Sequence, residues 1–174
     1  MKSIRHLIGS LMVVTLLAAA TFAEHVSVEY DHSANFAHDH TYSWTKVETA
    51  NSIGDARVKS AVDQQLAAKG WTEVPSGGDV ALVAVATTRT KRQLNTFYDG
   101  FGGWRWNSFG DATTTVENYK VGTLIVDMFD PNSKNLIWRG TASNVVSGNA
   151  EKNTKNLDKG VQKMFKQFPP KAAS

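Results

Sequence analysis

Between Phe97 and Gly110 the chain places six aromatic side chains in 14 residues, interleaved with glycines and a single arginine. Tyr98, Phe101, Trp104, Arg105 and Trp106 are the residues of this segment best suited to recognition. Flat rings beside glycines allow close approach to a partner, because glycine adds no side chain and tolerates most backbone angles. Exposed Trp and Tyr can stack on a sugar ring or grip a protein surface. Arg105, set between two tryptophans, could add a cation–π or anion contact. The competing account is that the rings fold back on the domain and complete its core. An exposed apolar patch of this kind marks a binding surface.

A second group is His32, His38 and His40 with Asp31 and Asp39. His38 and His40 on a strand would turn both imidazoles to one side, half of a zinc or copper site. Spacing fixes no third ligand, so solvated surface histidines are the plainer account, and no cofactor is expected. Asp127 and Arg139 lie at nearly matching distances from a turn at Asp130-Pro131-Asn132-Ser133. A hairpin there sets them across from each other as a structural ion pair, whereas an active site would need a perturbed carboxylate. Arg89, Lys91 and Arg92 could hold phosphate or an anionic glycan, or merely keep a strand end soluble. The zincin, nucleophile-elbow, phosphate-loop and dinucleotide signatures do not occur. With no cysteine in the chain, a thiol nucleophile is excluded.

These residues need a scaffold, and the hydrophobic pattern supplies one. Val26, Val28 and Tyr30 alternate with polar residues as a strand, and Thr41 to Thr45 reads as another. Ser52-Ile53-Gly54-Asp55 has the form of a capping box, followed by Val58, Ala61, Val62 and Leu66 on one helical face. Gly70 stops that helix, with Trp71 placed to fold back on its last turn. Val80 to Ala86 is apolar enough for a central strand; from Thr87 the pattern turns polar and enters solvent. Val116–Phe129 and Leu136–Val146 form the hairpin about the Asp130 turn. Leu157, Val161, Met164, Phe165 and Phe168 make a second helical stripe, ended by Pro169-Pro170. The expected fold is α+β, a two-layer domain with two amphipathic helices on one face of a mainly antiparallel sheet.

The N-terminus reads differently. Lys2 and Arg5, the apolar run from Leu7 to Leu17, and Thr21-Phe22-Ala23 have the form of a secretory signal peptide cut after Ala23. The expected organisation is a leader over 1–23, one domain over 24–170 and a short frayed tail over 171–174. The chain carries 19 basic and 16 acidic residues, and two of the basic ones lie in the leader. The remainder is almost neutral, which excludes the basic field that nucleic-acid binding requires. Without cysteine, an exported domain holds itself together by packing, and no lipid anchor on an N-terminal cysteine is expected.

Three stretches carry a family likeness: Val26-x-Val28-x-Tyr30-Asp31-x-Ser33-Ala34-x-Phe36 with Thr41-Tyr42-x-Trp44; Leu66 to Trp71 with Asp79 to Val83; and Gly122 to Asp127 with Asp130, Leu136-x-Trp138-Arg139-Gly140-Thr141-Ala142 and Phe168-Pro169-Pro170. Together these resemble the bacterial domain of unknown function 4136 family, over nearly the whole chain after the leader. The resemblance implies a small exported protein, in many members a lipoprotein. This chain departs from that version by lacking the lipidation cysteine. It implies no activity and carries no catalytic residue over.

The leading expectation is a non-enzymatic, periplasmic or secreted binding module whose partner is cell-wall glycan or another envelope protein. A self-associating structural protein, a homodimer through an uncovered sheet face, is the second reading. A small hydrolase or metal-dependent enzyme using His38 or His40 is the third.

Overall fold

A computed structural model describes residues 24–98 and 112–170. In chain order the elements are β1 (His25–Tyr30), β2 (Thr41–Glu48), α1 (Ser52–Ala67), β3 (Thr72–Glu73), β4 (Val80–Tyr98), β5 (Ala112–Phe129), β6 (Leu136–Val146) and α2 (Ala150–Met164). A short 3-10 turn, Phe165–Gln167, extends α2.

Local chemistry sets the helix ends. The cap of α1 is Asn51, one residue ahead of the expected Ser52; its side chain accepts from the Gly54 amide at 2.9 Å. Asp55 reaches further back, to the Thr49 amide at 2.8 Å, so both ends of the entry turn are tied. At the other end Gly70 takes a left-handed φ of 83°. The Trp71 amide then returns to the Leu66 carbonyl at 3.0 Å, which drops the Trp71 ring into the core. Asn149 caps α2 in the same manner, accepting from the Lys152 amide at 2.9 Å. No helix among the described residues is long and apolar enough to cross a membrane.

The six strands form one sheet in the order β1-β6-β5-β4-β2-β3. It is mixed: the expected antiparallel pairing holds for three of the five strand contacts among the described residues. β1, β6, β5 and β4 pair antiparallel, but β2 lies parallel to both β4 and β3. The cause is α1: a strand that returns through a helix crosses over and comes back in the same direction. β1 and β2, though consecutive, stand near opposite edges, and their connection is fastened by the buried ring of Phe36.

The buried apolar residues gather in one cluster. Alternate residues of the sheet supply one side of it, among them Leu82, Ala84, Val126, Met128 and Trp138. Val58, Val62, Leu66, Val161, Met164 and Phe165 supply the helical side. A polar bracket joins α1 to β2. Tyr42 Oη and Trp44 Nε1 both donate to Asp63 Oδ1, at 2.8 and 2.9 Å. Lys59 donates to Asp63 Oδ2 at 2.8 Å and to Glu73 at 2.6 Å, with its ammonium 5.7 Å from the Trp44 ring centroid. Burial, reinforced by Asp63, pushes the Tyr42 phenol far above its ordinary pKa.

β4 and β5 run further than the hydrophobic pattern suggests. β2 accompanies β4 only to Val85, and β6 accompanies β5 only to Lys120. From Lys91 opposite Tyr119 to Tyr98 opposite Ala112, the β4–β5 ladder continues for eight residue pairs past the last residues paired with β2 or β6. This two-stranded ribbon is about 27 Å long at roughly 3.4 Å per residue.

Removing the acceptor of the polar bracket strands the almost fully buried Tyr42 hydroxyl. Asp63→Ala is therefore expected to lower unfolding free energy by about 1–3 kcal/mol, read from urea denaturation. Asp63→Asn, which keeps a carbonyl acceptor, should lose less; equal losses would contradict the bracket.

Candidate functional site

The aromatic segment enters and leaves through the ribbon. Tyr98 ends β4 and pairs in register with Ala112, the first residue of β5. Phe101, Trp104, Arg105 and Trp106 lie outside the described residues.

Asp127 and Arg139 occupy the sheet face opposite the core. They are direct Cα partners on β5 and β6. Arg139 Nε and Nη2 donate to Asp127 Oδ1 and Oδ2, each at 2.7 Å. This two-point fork spends both carboxylate oxygens on one guanidinium. Asp127 is only 8% exposed, and Glu29 stands beside Arg139 on the neighbouring β1. On the same face Val83, Val85 and Ile125 are partly exposed. A carboxylate so engaged cannot accept a substrate proton without first breaking the fork.

His38 and His40 precede β2 in the β1–β2 connection rather than lying on a strand, and both are exposed. Among the described residues no group of three or more His, Cys, Asp or Glu side chains is arranged to hold a metal ion. What gathers here is carboxylates around a polar cleft of about 670 Å3, with Asp31, Asp39, Asp79 and Asp130 in its lining. Three of them are occupied by the backbone. Asp79 accepts from the His40 and Thr41 amides and from Thr41 Oγ1, at 3.1, 2.9 and 2.7 Å. Asp31 closes a turn on Ser33, and Asp130 closes one on Asn132 and Ser133. Those bonds favour the ionised form and lower all three carboxyl pKa values. Asp39 moves the other way, raised by desolvation and then by Asp79 and Asp130.

At the opposite end, where the ribbon leaves the sheet, a second cleft of about 620 Å3 opens. Its floor is the core-side face of β4, β5 and β6; its walls are the first turns of α1 and α2, with Arg57 and Leu157 among the lining residues. Asp63, Asp79 and this cleft are the features that sequence reasoning missed. An acid inside a helical repeat and an acid ahead of a strand look like ordinary solvent-facing residues. A cleft made by small residues on three strands has no signature in one dimension.

The model of the family described as "Domain of unknown function (DUF4136)" matches residues 26–170. No curated protein matches the sequence. Among solved structures, a PDZ domain protein from Parabacteroides distasonis superposes with a TM-score of 0.57 at 11% identity, over 86% of this chain and 37% of that one. The chain thus spans little more than a third of that protein, and the likeness is one of fold. A PelC dodecamer from Paraburkholderia phytofirmans gives 0.46 at 13% identity, over 82% of this chain and 97% of that one. A minor lipoprotein from Acinetobacter baumannii gives 0.37 at 16%, over 74% and 91%.

The carboxylate cluster has a distinctive titration. Because the folded pKa of Asp79 is lowered, its stabilising effect is present above the unfolded value of about 3.9 and is lost as pH falls through the folded one. Carboxyl 13C NMR should place Asp39 highest of the four aspartates, and Asp79→Asn should move Asp39 downward. The melting-temperature loss in that variant should narrow between about pH 6 and about pH 3. An Asp39 midpoint below that of Asp79 would contradict the assignment.

Proposed function

The chain belongs to the DUF4136 family, and we propose that it is an exported envelope protein that acts by binding rather than by catalysis. In this reading the leader is removed near Ala23 and the protein works in the periplasm or outside the cell. Tyr98, Phe101, Trp104, Arg105 and Trp106 form the contact surface, and the partner is cell-wall glycan or another envelope protein. The helices and sheet are taken as two layers, so the Asp127–Arg139 fork keeps a structural role on the uncovered face.

One observation supports this above the others. The strands that deliver residues 99–111 stay paired for eight residue pairs beyond the last contact of either neighbouring strand. A two-stranded ribbon of that kind is only marginally stable in water by itself. A chain that maintains one, and joins its ends by a segment rich in Trp and Gly, is consistent with that segment serving as a contact surface. Aromatic rings on such a surface give large contact area for little loss of side-chain freedom.

Co-sedimentation tests the reading. The protein should pellet with purified cell-wall sacculi or with outer-membrane vesicles, and Trp104→Ala/Trp106→Ala should reduce the bound fraction by at least about tenfold, as for a two-residue hot spot. Pelleting equally well with and without the tryptophans would remove the segment from the account.

A further inference from the structure

The cleft at the ribbon end lies over a floor of mostly small residues on three strands. Register places Ala86, Leu124 and Ala142 side by side across β4, β5 and β6, and Gly122 between Thr88 and Asn144 in the next row. Apart from Leu124, which supplies the apolar centre, the alanines and Gly122 leave the floor low. Above it α1 contributes Gly54, Arg57 and Val58, and α2 contributes Asn153 and Leu157. The resulting 620 Å3 falls within the range of about 300–1,000 Å3 typical of small-molecule sites. An apolar floor under a polar rim is the form such sites take.

The charges select among ligands. Among the described residues three charged side chains line the cleft: Glu24, Glu48 and Arg57. Glu24 is paired with Lys163 and Glu48 with Lys46. Arg57 is exposed and has no ion-pair or hydrogen-bond partner among the described residues. Both carboxylates are ion-paired, although Glu24 Oε1 is buried without a hydrogen-bond partner among the described residues, and the unpaired charge of the lining is the Arg57 guanidinium, whose planar fork matches a carboxylate.

We propose that this cleft binds an anionic amphiphile with an acyl chain, the carboxylate on Arg57 and the chain along Ala86, Leu124, Ala142 and Leu157. The binding energy comes from covering apolar floor that water otherwise wets, and Arg57 fixes the direction in which the chain lies. The test leaves Trp104 and Trp106 unchanged, and its readout is laurate binding rather than co-sedimentation, so the two readings fail independently.

Isothermal titration with laurate, below its micelle concentration and at low salt, should give saturable one-to-one binding. Arg57→Glu should weaken it by about tenfold or more, the worth of one charge-assisted contact, without changing the melting temperature. Ala86→Trp, which fills the floor, should abolish it. Dodecyltrimethylammonium, with the same chain and the opposite charge, should bind more weakly than laurate to the wild type and no more weakly to Arg57→Glu. If Ala86→Trp does not fold, the Arg57 pair of titrations still decides. Absence of saturable laurate binding, laurate affinity unchanged by Arg57→Glu, or preference for the cationic amphiphile would each overturn the proposal.

Discussion

The indole of Trp138 lies across Gly140, two residues further along the same face of β6, and the rest of the domain is arranged around that contact. A Cβ at position 140 would come within 2.6 Å of the ring and 2.7 Å of Met164 Sδ, so only glycine leaves room for both. With the ring seated there, Phe165 stacks obliquely at 5.0 Å and Phe168 meets it edge-on at 5.5 Å. Phe168 in turn receives Trp71 from the end of α1 at 5.2 Å and Phe36 from the β1–β2 connection at 5.7 Å. Segments far apart in sequence meet in one ring cluster. Aromatic pairs in these geometries add about 0.5–1.5 kcal/mol each beyond their burial, which matters in a chain with no cysteine to cross-link it.

That clamp gives the domain two unlike ends. Near the rings, the helices are pinned to the sheet, and the adjoining turns spend their carboxylates on their own backbone. At the ribbon end the floor carries Ala86, Leu124, Ala142 and Gly122, the helices begin rather than end, and the 620 Å3 cleft opens. The polar groups of the middle are satisfied in place, by the Asp63 bracket and the Asp127 fork. An exposed ion pair contributes little, but a two-point fork fixes the register of β5 against β6. That register also sets Leu124 beside Ala142 and Gly122 beside Asn144 under the cleft.

Much of this was legible in the residues. The stripe Val58, Ala61, Val62 and Leu66 identifies α1 because helical periodicity survives in one dimension, and all four are buried. Gly70-Trp71 identifies its end for the same local reason. The parallel pairing of β2 with β4 was present in the strand–helix–strand order about α1, but the turn-rich hairpin at Asp130 is the louder signal and points to an antiparallel sheet. β3 spans only Thr72–Glu73, too short for any alternation to show. The ends of β4 and β5 were hidden because Thr, Arg and Lys at 87–92 read as a solvated strand end, and only pairing across the chain reveals that the ladder continues. Ser52, with an acid three residues on, competes with Asn51 as the cap in one dimension, and only the bond from the Gly54 amide to Asn51 Oδ1 decides between them. The carboxylate cleft depends on three separate loops, and no spacing rule connects them.

Binding through the aromatic segment requires Trp104 and Trp106 to be accessible to solvent. Acrylamide quenching of tryptophan emission measures this directly, since Trp71 and Trp138 are buried and only partly exposed Trp44 competes as a described quenchable ring. Replacing Trp104 and Trp106 together by Phe should remove most of the quenchable emission and leave the thermal midpoint where it was. An unchanged quenchable fraction with a clearly lowered midpoint would mean that the two rings belong to the core, and the account would fail.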